Sequence, residues 1–302
     1  MASGSRTAEF TKLQKALKKH YKPTGPDPQR SVLEHLLFAC VLEDAPHDLA
    51  EEAFAALVHT FFDWNEVRVT SVSELAEVMS RLPAPRAAAT RLKCVLHSVF
   101  EAKFSFELED LRKQNLGPAV KWLEKLDGTD DFIVAYVAQA ALGGHRIPVD
   151  RGTLATLYIL GLITDKERDK GEVPGLERAV AKSKGPEVAS LMHQLGAAYT
   201  ANPYSPKLRK ILLEIEPECK ERLPRRRTAK KASEAAKAAR DKEYRESKTS
   251  AKKKPTATKA TKGKAAGKKP ATKKTTSKKT SKSKAAASKP ASKQTSSKRK
   301  PR

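Results

Sequence analysis

Apolar residues recur at every third or fourth position along most of the first 215 residues, the spacing that places them on one face of an α-helix. The pattern is clear in SVLEHLLFACVL, SVSELAEVMSRL, RAAATRLKCVLHSVFEAKF, TDDFIVAYVAQAAL and GPEVASLMHQLGAAYT. Pro and Gly separate these segments, as in KPTGPDP, RLPAP and ANPYSP. The sequence therefore predicts an all-α fold of ten or more helices, with one short extended piece at EVRVTSV.

Three polar residues precede helical segments where an N-cap belongs. Ser71, Thr129 and Asp150 each stand just before an apolar-periodic run. A side-chain oxygen at that position accepts a hydrogen bond from the first free backbone N–H groups of the helix. We predict that all three residues are N-caps.

The net positive charge of the chain lies in its C-terminal part. Residues 221–302 carry 31 Lys and Arg and 5 Asp and Glu, a net charge of +26, while residues 1–220 carry 29 basic and 30 acidic residues. From Lys248 onward the sequence is almost entirely Lys, Ala, Thr, Ser, Pro and Gly, which cannot form an apolar core. We therefore expect a folded domain over residues 1–224 and a disordered Lys-rich tail over 225–302.

The composition of this tail favours a polyanion as its partner, because mobile ammonium groups neutralise phosphates without reading bases. DNA is the expected partner and RNA a possible one; a solubilising tail is the alternative. The candidate DNA-binding residues here are Arg225, Arg226, Arg227, Lys252, Lys253, Lys254, Lys268 and Lys269.

The three cysteines, Cys40, Cys94 and Cys219, are far apart in the sequence. They are too few for a four-cysteine metal or iron–sulfur site, so no metal and no cofactor is expected. The apolar run FIVAYVAQAAL is about half the roughly 20 residues that span a bilayer. We expect a soluble intracellular protein, of a cytoplasm or nucleoid, or of a nucleus, with no membrane partner; the sequence does not indicate an oligomeric state.

The segment LDGTDDFIVAYVAQAALGGHRIPVDRGTLATLYILGLI resembles the helix-hairpin-helix and catalytic-Asp region of the endonuclease III-like (HhH-GPD) DNA glycosylases. Their pattern is roughly L-P-G-V-G-x-K-T-A, an apolar helix, then V-D. Leu126 and Gly128 fall on its Leu and first Gly, Phe132 on its catalytic Lys, and Val149 with Asp150 on its Val-Asp pair. The resemblance covers residues 30 to 215, and the tail is more similar to that of a linker histone.

The resemblance implies a two-lobed helical fold with DNA in the cleft, the lobes being about 31–165 and 1–30 plus 166–224. It implies a hairpin at Gly128 and Thr129 that holds a phosphate through backbone N–H groups, a base flipped into a pocket, and possible DNA contact by His145. Asp150 would stabilise the positive charge that develops on the sugar, or orient the attacking nucleophile.

Several residues depart from the family pattern. Phe132 carries no nucleophile, so AP lyase activity is not expected and base excision would depend on Asp150 alone. Asp130 and Asp131 place two carboxylates where the hairpin would hold a phosphate. The turn VLEDAP is acidic and apolar where the family inserts a Gln into DNA.

Each candidate residue also has a purely structural interpretation. Asp150 is a good N-cap without any chemistry, His145 is a polar loop residue, and Phe132 would pack into the former pocket. We interpret Glu43 and Asp44 as a solvated helix end.

Three functions fit this sequence. One is a monofunctional DNA glycosylase of base excision repair, for which Asp150 must line an open cleft. The second is a non-catalytic DNA-binding protein whose cleft is filled by Phe132. The third is a nucleoid-compacting or RNA-associated protein in which the folded domain is only a scaffold. We favour a DNA-binding protein with a repair role and leave its catalysis open.

Overall fold

The computed structural model describes residues 3–225, and every regular element in this range is a helix, as the periodicity predicts. None of these helices is long and apolar enough to cross a membrane. Three short 3₁₀ helices cover Glu109–Lys113, Lys182–Lys184 and Pro217–Glu221. The α-helices are α1 Ser3–His20, α2 Val32–Leu42, α3 His47–Thr60, α4 Trp64–Val69, α5 Val72–Val78, α6 Pro85–Lys103, α7 Leu116–Leu123, α8 Asp131–Ala140, α9 Arg151–Ile159, α10 Asp165–Lys170, α11 Leu176–Ala179, α12 Gly185–Ala201 and α13 Pro206–Ile215.

The buried apolar side chains form two separate cores. Helices α2 to α8 build the first, in which Phe38 is fully buried at the centre of α2. Helices α1, α9 and α11 to α13 build the second, around residues such as Leu157, Leu191 and Ile211. The chain therefore passes from the first core to the second between α8 and α9.

The boundary between the lobes differs from the expected one. Residues up to 165 were expected in the first lobe, but Leu154, Leu157 and Leu160 pack in the second core. The reason is the extensive contact of α9 with α12, which places α9 in the second core.

Local hydrogen bonds explain where the short helices begin. Ser71 forms a reciprocal capping box with Glu74 at the start of α5, as expected of an N-cap. The predicted extended piece EVRVTSV is wrong, because the Asp63 side chain caps α4 and Ser71 caps α5. Within this piece, Thr70 and Ser71, between the two helices, have an extended backbone.

Two glycines allow α9 and α12 to approach very closely. A Cβ atom added at Gly152 would lie 2.4 Å from the carbonyl oxygen of Gly196. One added at Gly196 would lie 2.5 Å from the backbone nitrogen of Thr153 and 2.8 Å from Oδ1 of Asp150. Only a residue without a side chain fits at this crossing, and the crossing places the start of α9 against the middle of α12.

We predict that Gly196→Ala destabilises the protein by roughly 1–3 kcal/mol, because the new methyl group would meet the backbone nitrogen of Thr153 and the buried side-chain oxygens of Thr153 and Asp150. Urea unfolding followed by circular dichroism measures the change. Gly117→Ala is the matched control, since nothing lies within 4 Å of a Cβ atom at that helical position. Equal stability of the two variants would contradict the close crossing.

Candidate functional site

Asp150 lies at the N-terminus of α9 and is completely shielded from solvent. Its Oδ1 accepts a hydrogen bond of 2.6 Å from the backbone nitrogen of Thr153, which is the expected N-cap contact. Its side chain is 0% exposed. The carboxylate of Asp150 therefore caps α9 from inside the protein.

The second oxygen of Asp150 faces His193 of α12. Nδ1 of His193 lies 2.8 Å from Oδ2, too oblique for a well-aligned hydrogen bond but within ion-pair distance. Nε2 of the same ring lies 2.9 Å from the carbonyl oxygen of Ala45, between α2 and α3. His193 thus connects the second lobe to a loop of the first.

Both ring nitrogens of His193 face oxygen atoms. The carbonyl of Ala45 can only accept, so Nε2 donates to it. Nδ1 faces Oδ2 of Asp150. His193 and Asp150 thus form a buried pair whose charged form is an imidazolium against a carboxylate.

The pKa of Asp150 fits this pairing. Burial alone would raise it, but the close contact with His193, its charge when protonated and the hydrogen bonding of Thr153 outweigh burial and hold the pKa of Asp150 below its ordinary value. Asp150 is therefore ionised near neutral pH.

Phe132, in the first turn of α8, covers the other side of His193. The two rings are stacked, with centroids 5.6 Å apart and an interplanar angle of 26°. Phe132 is 3% exposed and also contacts Tyr136, which lies one turn later. Phe132 therefore packs against the imidazole ring of the pair and fills the space in front of it.

The cavity beside these residues is too small for a nucleobase. It has a volume of about 30 Å³ and is lined by Leu42, His47, Phe132, Tyr136 and His193, among others. Such a space holds a water molecule or two. A flipped base would enter only if Phe132 and its neighbours moved.

Glu43 and Asp44 are not the solvated helix end that we expected. Glu43 is 6% exposed and pairs with Arg91, whose Nε lies 2.9 Å from Oε2. Asp44 has a φ of 60° and contacts Arg151 at 3.5 Å. The turn between α2 and α3 folds these carboxylates inward because Arg91 also donates to the carbonyl oxygens of Cys40 and Glu43.

Burial raises the pKa of Glu43 to about 8, although the positive charge of Arg91 opposes this shift. The nearby carboxyl groups of Asp130 and Asp44 raise it further. Burial and the charge of Asp150 likewise raise the pKa of Asp44. Among residues 3–225, no three acidic, His or Cys side chains are placed to hold a metal ion.

The hairpin before α8 uses its polar groups internally. Gly128 has a φ of 90°, and a Cβ atom there would lie 2.7 Å from that of Cys94. Thr129 is not the N-cap that we predicted, because its hydroxyl donates to the carbonyl oxygens of Leu123 and Leu126. Asp130 caps the helix instead and accepts from the backbone nitrogen of Ile133 at 2.9 Å.

A carboxylate thus occupies the helix N-terminus at which the resemblance placed a phosphate. Asp131, next to it, is exposed and adds a second negative charge. Both carboxylates complement the helix dipole and repel a phosphate. In this structure the hairpin is a packing element with an acidic surface.

The remaining candidate residues lie apart from Asp150. His145 is half-buried, and its Nε2 lies 2.8 Å from the carbonyl oxygen of Glu177. Arg225 is exposed at the end of the described range. The other candidate basic residues lie outside the described residues: Arg226, Arg227, Lys252, Lys253, Lys254, Lys268 and Lys269.

Sequence reasoning missed His193, the partner of Asp150. It stands on a helix of ordinary amphipathic pattern, GPEVASLMHQLGAAYT, without a motif around it. The only local signal in the sequence is that His193 stands among apolar residues. In the structure, neighbours such as Met192 and Leu195 are buried.

Comparison with solved structures gives the fold. A structure of endonuclease III trapped in a covalent intermediate with DNA superposes with a TM-score of 0.52 at 16% identity, over 74% of this chain and 100% of that chain. A non-covalent endonuclease III–DNA complex gives a TM-score of 0.50 at 19% identity, over 72% and 97% of the two chains. The chain has the endonuclease III-like fold. No protein-family model and no curated protein matches it.

At these identities the likeness shows the fold alone. The arrangement around Asp150 is read from this chain's own contacts: a carboxylate paired with His193, covered by Phe132 and closed to solvent.

We predict that Asp150→Asn lowers the free energy of unfolding by roughly 3–5 kcal/mol at pH 7, because it leaves the buried imidazolium without a counter-charge. Asp63→Asn is the control, since Asp63 is also an N-cap but is exposed, and it should change stability by less than about 1 kcal/mol.

The folded pKa of Asp150 is lowered. The stabilisation that its charge contributes is therefore present above about pH 3.9 and is lost as the pH falls further. Urea titrations at pH 7 and pH 3 measure both effects, and equal losses in the two variants would contradict the buried pair.

Glu43→Gln is predicted to change how stability depends on pH. A carboxyl group whose folded pKa is raised stabilises the protein fully below its ordinary pKa of roughly 4.3, and this contribution is lost as the pH rises through about 8. The parent protein should therefore lose stability between pH 5 and 9 relative to Glu43→Gln. Chemical unfolding across this range tests the difference, with the exposed Glu52→Gln as control; parallel curves for all three proteins would refute it.

Proposed function

We propose that this protein binds DNA without excising bases and that its folded domain is a glycosylase-like scaffold with a closed site. The observation that carries the proposal is the complete burial of Asp150 in an ion pair with His193. A glycosylase of this kind must bring its carboxylate against the sugar of an extruded nucleotide. Here Phe132 and His193 occupy that approach.

DNA is the proposed partner for two reasons. The structures that share this fold are described as endonuclease III–DNA complexes. The sequence of residues 221–302 has a net charge of +26, which suits a phosphate backbone. Affinity would then come mainly from counterion release and depend steeply on salt.

A second candidate is a monofunctional glycosylase of base excision repair. One observation favours it: the lowered pKa keeps Asp150 ionised, and an ionised carboxylate is what stabilises an oxocarbenium-like transition state. This function requires Phe132 to move away, because the cavity of about 30 Å³ does not hold a base. Phe132→Ala is therefore the variant that separates the two candidates.

We predict that the intact protein binds duplex DNA and releases no base in single-turnover assays. The assays would use duplexes with uracil, thymine glycol, ethenoadenine, 3-methyladenine or a G·T mismatch. Binding is followed by fluorescence anisotropy at several salt concentrations, with Asp150→Asn and Phe132→Ala measured in parallel. Because no nucleophilic Lys stands at position 132, borohydride should trap no covalent complex.

Base release by the parent protein that disappears in Asp150→Asn would overturn this proposal and support the monofunctional glycosylase. Absence of DNA binding at low salt would overturn both candidates. Binding without release, with equal affinity in parent and Asp150→Asn, is the result that we expect.

A further inference from the structure

An exposed aromatic residue stands in the turn between α12 and α13. Tyr204 is 42% exposed. Its backbone nitrogen donates to the side-chain oxygen of Asn202 at 3.0 Å, and the nitrogen of Ser205 donates to the carbonyl of Asn202 at 3.1 Å. Pro203 and Pro206 flank the turn. These contacts and the two prolines constrain the backbone from which the Tyr204 ring projects.

Tyr204 forms one wall of a surface cavity of about 250 Å³. Leu223 is 6% exposed and lies at the buried side of this cavity. The remaining lining residues are Pro203, Arg209, Pro224 and Arg225. The cavity thus combines apolar and aromatic surface with two guanidinium groups.

Within residues 6–225, no acidic group pairs with either arginine of this cavity. Arg209 and Arg225 are exposed, and within residues 6–225 neither guanidinium forms an ion pair. Two unpaired guanidinium groups beside one cavity favour an anionic ligand.

Nucleic acid has the chemistry that this cavity matches. An aromatic face stacks on any base, and a guanidinium binds a phosphate through two parallel hydrogen bonds. A paired base inside a duplex does not offer its face, so the nucleotide has to be unpaired.

We propose that this cavity binds one unpaired nucleotide of single-stranded DNA, with the base stacked on Tyr204 and the flanking phosphates on Arg209 and Arg225. The inference deepens the proposed function and rests on it. In the sequence, Arg225 is followed directly by Arg226 and Arg227. DNA held by the basic segment would therefore arrive next to the cavity. This position is separate from Asp150, whose surroundings share no residue with it.

Single-stranded oligonucleotide binding by the full chain tests the site, measured at raised salt so that the basic segment contributes less. Tyr204→Ala should weaken binding about fivefold or more, because one stacking contact is lost. Tyr204→Phe keeps the ring and should bind like the parent. Unfolding curves of both variants show whether the fold is intact, and Tyr204 packs in neither core.

Charge is tested separately. Arg209→Gln with Arg225→Gln should lower the slope of log affinity against log salt by about 1.4, roughly 0.7 for each lost contact with a single-strand phosphate. Lys182→Gln with Lys184→Gln is the matched control, because these exposed cations do not line the cavity. It should leave the slope unchanged.

The inference is overturned if Tyr204→Ala and Tyr204→Phe bind single-stranded DNA equally while the parent protein binds well. It is also overturned if Tyr204→Ala weakens duplex and single-stranded binding by the same factor, since stacking requires an unpaired base. Failure of the parent to bind any DNA would instead refute the proposed function. Tighter binding of an RNA oligonucleotide of the same sequence would overturn the assignment of the ligand as DNA.

Discussion

The buried ion pair of Asp150 and His193 is the interaction around which this structure is arranged. Two opposite charges removed from water must neutralise each other closely or they destabilise the fold. Their separation of 2.8 Å requires α9 and α12 to cross closely, which Gly152 and Gly196 permit. The second nitrogen of His193 then holds the loop of Ala45, so the same side chain connects the two cores.

Asp150 already has a partner in this structure. His193 lies 2.8 Å from its carboxylate, and Phe132 stacks on the other face of the same ring. Glu43 and Asp44 are turned inward next to Arg91 and Arg151. Asp150 therefore has a structural role as the buried cap of α9.

The sequence predicted what depends on neighbouring residues and missed what depends on distant ones. Helical periodicity and the N-cap position of Asp150 are local, and both are confirmed. Thr129 and Asp130 are both good caps, and only the turn geometry decides between them. His193 was missed because its partners, Asp150 and Ala45, lie far away in the chain. Glu43 was expected to be solvated, but its ion pair with Arg91 holds it inside the protein. Helix α9 was expected in the first lobe, but two glycines allow it to pack closely against α12 in the second.

The most direct test of the central claim is the protonation of His193 in solution. Long-range ¹H–¹⁵N correlation spectra of the ¹⁵N-labelled protein distinguish an imidazolium from either neutral tautomer. The account predicts that both ring nitrogens of His193 carry protons at pH 7, and that the signals stay unchanged when duplex DNA with an abasic-site analogue is added. A neutral His193, or signals that shift as DNA reaches Asp150, would contradict a sealed pair and indicate a site that opens.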